Sequence, residues 1–355
     1  MDSRLRKILE SGLIETSAPC RIDMGGTLDI PIFYYPLRHL NPCTFNFALG
    51  LRTRVCLQPY TKGLIKISSR GFKDAEFSAD DAPFDHPLGL MFATAAYFNA
   101  GGVHIDIESG SPPRSALGGS SAAAVALVAA FLTLFERGAR EAHESNFNRR
   151  SAALLAYKLE ETVAGVPCGS QDQLAAAYGG VHVWYWQTRP GQSHYKRKVA
   201  VKKKYHNELE RRLLLAYCGN PHVSKDINGR WIRQFLAGKN RVVWKEIIDQ
   251  MHQFTVALTD RNYSQAAIHM NRETTLRRQM TPGVLDDVGV RLVERALKNG
   301  CGARFTGAGG GGCIWALGEA EDIDRLRPLW EESLSTRKEA CLLDAKIDTG
   351  GVRIH

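Results

Sequence analysis

The stretch Pro112-Pro113-Arg114-Ser115-Ala116-Leu117-Gly118-Gly119-Ser120-Ser121-Ala122-Ala123 decides how this chain is read. A loop of small residues runs directly into an apolar, Ala-rich segment, Ala122 to about Phe135, that predicts a helix. The first amides of a helix have no internal acceptor, and the helix dipole favours negative charge there. A phosphate suits such a position, and Ser120 and Ser121 add hydroxyls for a phosphate oxygen or a magnesium ion. The Gly-Lys-Ser/Thr ending of a Walker loop is missing, so this is not an ordinary P-loop. Alone, the stretch is equally a Gly/Ser helix cap.

Two further segments change that balance. One is Ser17-Ala18-Pro19-Cys20-Arg21-Ile22-Asp23-Met24-Gly25-Gly26-Thr27-Leu28-Asp29-Ile30-Pro31; the other is Ala303-Arg304-Phe305-Thr306-Gly307-Ala308-Gly309-Gly310-Gly311-Gly312-Cys313-Ile314. In this order and at these distances the three stretches resemble motifs 1, 2 and 3 of the GHMP kinases. The segments SAPCRIDMGGTLDIP and GSQDQLAAAYGG resemble the branch of D-glycero-D-manno-heptose 7-phosphate kinase and related sugar kinases. The resemblance implies an α+β, two-lobed fold, with a ribosomal-protein-S5-like N-terminal lobe that binds ATP and a ferredoxin-like C-terminal lobe. The expected division is 1–195 and 196–355.

Composition agrees with a globular protein. The chain has 355 residues, 44% hydrophobic and 23% charged, with a net charge of +9. That excess fits an electropositive cleft for anionic ligands. No basic stripe with interleaved aromatics points to nucleic acid, and no apolar run of membrane-spanning length is evident. The eight cysteines show no zinc spacing, and free thiols in a reducing cytoplasm are expected. A polar amphipathic helix opens the chain where a signal peptide would be apolar. Strands are predicted at Ser17–Asp23, Thr44–Gln58, Leu64–Ser68, Val103–Glu108, Val181–Trp186, Leu213–Cys218 and Ala340–Ile347. Helices are predicted at Arg149–Ala164, from Gln171, and at Ser224–Leu236, Val243–Asp260, Tyr263–Arg278, Val284–Asn299 and Ile323–Ser333. Ser193–Lys204 reads as a basic crossover.

The resemblance also implies roles. The nucleotide is expected on Pro113, Arg114, Ser115, Ala116, Leu117, Gly118, Gly119, Ser120, Ser121 and Ala122. Magnesium is expected on Ser120 and Glu160, with Ser121 and Glu161 as the rivals. Asp172, at the start of a helix, matches the catalytic aspartate that orients or deprotonates the acceptor hydroxyl. Read by itself it is a capping carboxylate. Arg21 matches the cation beside it. The acceptor is expected on Asp29, Gly26, Gly169, Gly309 and Gly310, because a carboxylate such as Asp29 accepts sugar hydroxyls. His182, Trp184 and Trp186 are a sugar-stacking wall or simply core, and Tyr217–Asn220 is a further candidate for the acceptor pocket.

The expected activity is ATP- and magnesium-dependent transfer to a sugar or sugar phosphate, at an anomeric hydroxyl, by a cytoplasmic monomer or homodimer without nucleic-acid or membrane partners. The alternatives are a silent ATP/sugar sensor of the same fold, or a kinase for a non-sugar, mevalonate-like alcohol. The chain departs from the branch at Thr27-Leu28-Asp29, where three glycines and Thr-Asp are usual, and at Arg114, Ala116 and Gly119 in the loop.

Overall fold

Pro19 lies inside a strand, where it cannot donate to a ladder, and the sheet changes register there. The structure, a computed structural model, describes residues 3–138, 147–165, 167–187, 191, 193–220 and 227–355. After α1 (Ser3–Ser11), strand β1 (Ile14–Met24) pairs antiparallel with β2 (Cys43–Pro59), with α2 (Pro31–Tyr34) between them. The shift between Pro19 and Arg21 bows β2 outward, and Gly50 N donates to Lys346 O at 2.8 Å. It also aims the Arg21 amide at Leu117 O, 2.8 Å away, so motif 1 is hydrogen-bonded to the motif-2 loop.

The chain continues through β3 (Leu64–Ser69), β4 (Ala75–Ser78), α3 (Gly89–Tyr97) and β5 (Val103–Ser109). Next come α4 (Gly119–Gly138), α5 (Arg149–Val163), α6 (Gln171–Tyr178), β6 (Val181–Trp186) and β7 (Tyr195–Val201). These strands form one large sheet, joined at its edge by the distant β12 (Arg353–Ile354). Helix α4 is apolar because it is packed inside: every residue from Ala122 to Phe131 is at most 5% exposed. Among the described residues it is the one helix long and apolar enough to cross a membrane, and that burial accounts for its composition. Its alanines let β1 approach closely, and Thr16 Oγ1 donates to Ala126 O at 2.7 Å.

The second part holds α7 (His206–Glu210), β8 (Leu213–Tyr217), α8 (Ile227–Leu236), α9 (Arg241–Thr259), α10 (Tyr263–Met280) and α11 (Asp287–Lys298). It closes with β9 (Gly302–Phe305), β10 (Cys313–Leu317), α12 (Ala320–Leu334) and β11 (Cys341–Leu343). Its sheet runs β11-β8-β10-β9, all antiparallel. The fold is thus mixed α+β, as expected.

Several elements differ from expectation. The basic crossover is largely strand β7, paired only with β6; its outward Lys196, Arg197 and Lys198 hide the strand signal. Sheet membership therefore changes after Val201, and β12 returns to the large sheet from the far end of the chain. The helix expected from Val284 starts at Asp287, because the Asp286 carboxylate accepts from Gly289 N at 2.7 Å and caps it there. The last strand pairs with β8 over Cys341–Leu343, and its far end crosses to β2 through a lone bridge between Ile347 and Leu49; β4 and α3 carry too little periodicity to be read. Positions 221–226, the start of one expected helix, and position 166 lie outside the described residues.

Candidate active site

A cavity of about 1040 Å³ opens where motif 1, the motif-2 loop, α5, α6 and the start of α8 meet. The loop takes its shape from three successive left-handed turns of backbone: Arg114 at φ 54°, Ala116 at 60° and Gly118 at 73°. Only glycine adopts this region freely, so the two side-chain-bearing residues are held there by their surroundings. Gly312 of motif 3 is one such support: a Cβ on it would lie 2.6 Å from Ser115 O.

Asp172 stands in the first turn of α6 and faces the cavity. Arg21 grips it with two parallel bonds, Nε to Oδ1 and Nη2 to Oδ2, each 2.7 Å. The third nitrogen, Nη1, donates to Ala116 O at 2.6 Å. Burial opposes the charge on Arg21, but the Asp172 and Asp23 carboxylates outweigh it and raise its pKa. Asp29 is 5% exposed, and its Oδ2 accepts from Gln171 N at 3.1 Å. Burial lifts its pKa to about 7. Gly169 has no room for a side chain, since a Cβ would fall 1.7 Å from Asp29 Oδ2. Gly26 also lines the cavity, with its missing Cβ 2.5 Å from Asp23 Oδ2.

The serine beside Glu160 is Ser121. Its Oγ donates to Glu160 Oε2 at 2.8 Å, and Gln173 Nε2 donates to the same oxygen at 2.5 Å. Burial raises Glu160 to about 6. Ser120, the serine expected there, lines the cavity one position earlier on α4 and makes no contact with Glu160 among the described hydrogen bonds. Glu161 is turned away and held by Tyr157 Oη and Lys158 Nζ, both at 2.7 Å.

Pro113, Arg114, Ser115, Ala116, Gly118, Gly119, Ser120 and Ser121 all reach the cavity wall. Leu117 and Ala122 do not: both are fully buried behind it. Gly309 and Gly310 also stay off the wall. They pack on the turn at Val284, whose carbonyl accepts from Gly310 N at 2.8 Å, and Gly307 and Ala308 line the cavity instead. Trp184 and Trp186 are at most 2% exposed, in the core with His182 and away from the cavity. Tyr217–Asn220 does not line it either; Asn220 O accepts from Gly312 N at 3.0 Å, and its amide reaches Asp286.

Sequence reasoning missed the buried charges behind the site. Asp23 Oδ1 lies 3.5 Å from Arg21 Nη1 and accepts from Gly307 N at 2.7 Å. Arg304 Nη1 reaches Asp23 Oδ2 at 3.2 Å, and its Nε reaches Glu273 Oε2 at 2.9 Å. Glu273 in turn pairs with Arg277 at 2.9 Å. Asp23 and Arg304 sit inside quoted motifs, but Glu273 and Arg277 have only an i,i+4 spacing, which normally marks a solvated helix face.

The domain called GHMP kinases N terminal matches residues 88–180, and the GHMP kinases C terminal domain matches 255–333. The chain belongs to the GHMP kinases. It is therefore of a family of ATP-dependent kinases, here for a small-molecule acceptor. It is 26% identical to the mevalonate kinase of Thermococcus sibiricus over 298 residues, 76% of this chain and 81% of that one. It is 25% identical to the D-glycero-alpha-D-manno-heptose 7-phosphate kinase of Campylobacter jejuni over 316 residues, covering 85% and 88%. The structure of Lactococcus lactis galactokinase with galactose superimposes with a TM-score of 0.72 at 17% identity, covering 96% and 95%, a likeness of fold.

Proposed function

We propose that the protein transfers the γ-phosphate of ATP to the anomeric hydroxyl of a sugar or sugar phosphate, with Asp172 as the base. The observation that carries this reading is the pair of carboxylates at one cavity: Asp172, gripped by Arg21, and Asp29, buried against Gly169. Asp29 accepts hydroxyls of a polyol. Asp172 orients the reacting hydroxyl and takes its proton, and Arg21 stabilises the oxyanion that develops beside it. The motif-2 loop and the start of α4 hold the nucleotide phosphates on backbone amides.

Magnesium fits this arrangement. Ser121 and Glu160 present two hard oxygen donors 2.8 Å apart, and nucleotide oxygens and water complete such a shell. When bound, the ion neutralises charge on the transferring phosphates.

A second reading, a kinase for a mevalonate-like alcohol, is favoured by the mevalonate kinases among the relatives. Such an acceptor carries its own carboxylate, and an ionised Asp29 in the same cavity disfavours that charge. The test is ADP release with magnesium-ATP across free sugars, sugar phosphates, mevalonate and homoserine. Turnover with a sugar or sugar phosphate supports the proposal. Turnover with mevalonate alone replaces it with the second reading, and ATP binding without any turnover favours a sensor.

A further inference from the structure

Arg277 belongs to none of the three motifs, yet it holds the acceptor side of the cavity together. It lies in α10 and is fully buried. All three guanidinium nitrogens are engaged: Nε with Glu273 Oε1 at 2.9 Å, Nη1 with Thr27 Oγ1 at 2.9 Å, and Nη2 with Gly26 O at 2.7 Å. The rings of Trp231 and Trp244, themselves edge to face, pack against it, each ring centre 4.8 Å from the guanidinium carbon.

These contacts reach two walls at once. Gly26 and Thr27 form the turn that carries Asp29, and both line the cavity. Trp231 sits on α8, whose first residues Ile227, Asn228 and Gly229 line it as well. Thr27 has φ 78°, a left-handed conformation that a β-branched residue adopts only under constraint. A planar, charged fork bonded to its hydroxyl and to the preceding carbonyl supplies that constraint. From Glu273 the contacts continue through Arg304 and Asp23 to Arg21 and Asp172, so the turn and the proposed base share one line of alternating charge that opens to the cavity only at Asp172.

We propose that Arg277 is a positioning residue for the acceptor: it fixes the Thr27–Asp29 turn and the start of α8, and so sets acceptor affinity without touching the acceptor. The proposal rests on the kinase reading for its kinetic consequence and on the turn alone for its structural one. Two readouts keep them apart.

The kinetic readout is KM for acceptor and for ATP in Arg277→Lys, Thr27→Val and Thr27→Ser. A lysine cannot reproduce the fork, so Arg277→Lys should raise acceptor KM by about tenfold or more while ATP KM holds. Thr27→Val deletes one bond and should raise acceptor KM by about threefold to tenfold. Thr27→Ser keeps the hydroxyl and should recover most of that loss. The structural readout is amide hydrogen exchange at Leu28 and Ile30, whose amides close the turn onto Gly25 O and Thr27 O. Both should exchange faster in Thr27→Val, with α4 unchanged. If Arg277→Lys does not fold, the Thr27 pair carries the test. A parallel rise of acceptor and ATP KM, or unaltered exchange at Leu28 and Ile30, would overturn the positioning role. A wild-type protein that turns over no acceptor sinks the kinase reading and leaves exchange to decide on Arg277.

Discussion

Two sets of arginine–carboxylate pairs meet at Asp23, and they differ in what surrounds them. Arg21 and Asp172 face a cavity, and the Asp172 side chain keeps 22% of its surface exposed. Arg304, Glu273 and Arg277 are sealed, with no exposure at all. The chemistry of the groups is the same. A carboxylate open to a ligand can exchange partners and accept a proton, whereas a sealed one can only hold its neighbours in place. In the dry interior an ion pair returns little net stability, because desolvation offsets the attraction. What it gives instead is direction: every hydrogen bond must be made, so motifs 1 and 3 and α10 lock in one arrangement.

The comparison can be broken most forcefully at its sealed half. Arg304→Met leaves Asp23 and Glu273 without their shared cation and should lower stability by about 3–5 kcal/mol, read as a fall in the urea midpoint. An unchanged midpoint would mean the interior pairs are dispensable. Next in size is the pair proposed to hold magnesium, Ser121 and Glu160. Ser121→Ala should weaken the response of turnover to magnesium by about ten- to a hundredfold, because it removes a donor beside Glu160, and Ser120→Ala should affect it less. The reverse ranking would return the metal to Ser120. The smallest effect concerns pH. Burial holds Asp29 at about 7, so acidification through that value converts the carboxylate proposed to accept hydroxyls into a neutral acid. Acceptor KM should rise as pH falls through about 7, ATP KM should stay level, and Asp29→Asn should abolish the dependence. The same raised pKa makes Asp29 a burden on folding that is absent below its unfolded value and complete once pH exceeds about 7.

How much of this was legible in the sequence follows from the same contrast. Positions whose backbone must do something unusual left a mark. The small residues of the motif-2 loop could be read as a local demand, whereas the register shift at Pro19 and the fit of Gly169 under Asp29 appear only in the fold. Facing was harder. One residue along a helix turns a side chain by about 100°, which is why Ser121 meets Glu160 although Ser120 was expected, and why Ala122 falls behind the wall; Leu117, in the loop before α4, is buried there too. Long-range packing left no local signal. Gly309 and Gly310 serve the turn at Val284, β12 returns to the large sheet, and Glu273 with Arg277 looks like any surface pair until their face of α10 is seen to be buried.

The most direct test of the division between open and sealed charges is the kcat of Asp172→Asn, measured with its ATP affinity and its urea midpoint. A base at the cavity predicts a fall in kcat of about 10²- to 10⁴-fold, with ATP affinity and midpoint close to those of the unaltered protein. A variant that turns over normally, or one that loses its midpoint as Arg304→Met should, would contradict the account by placing Asp172 among the groups that only hold the fold.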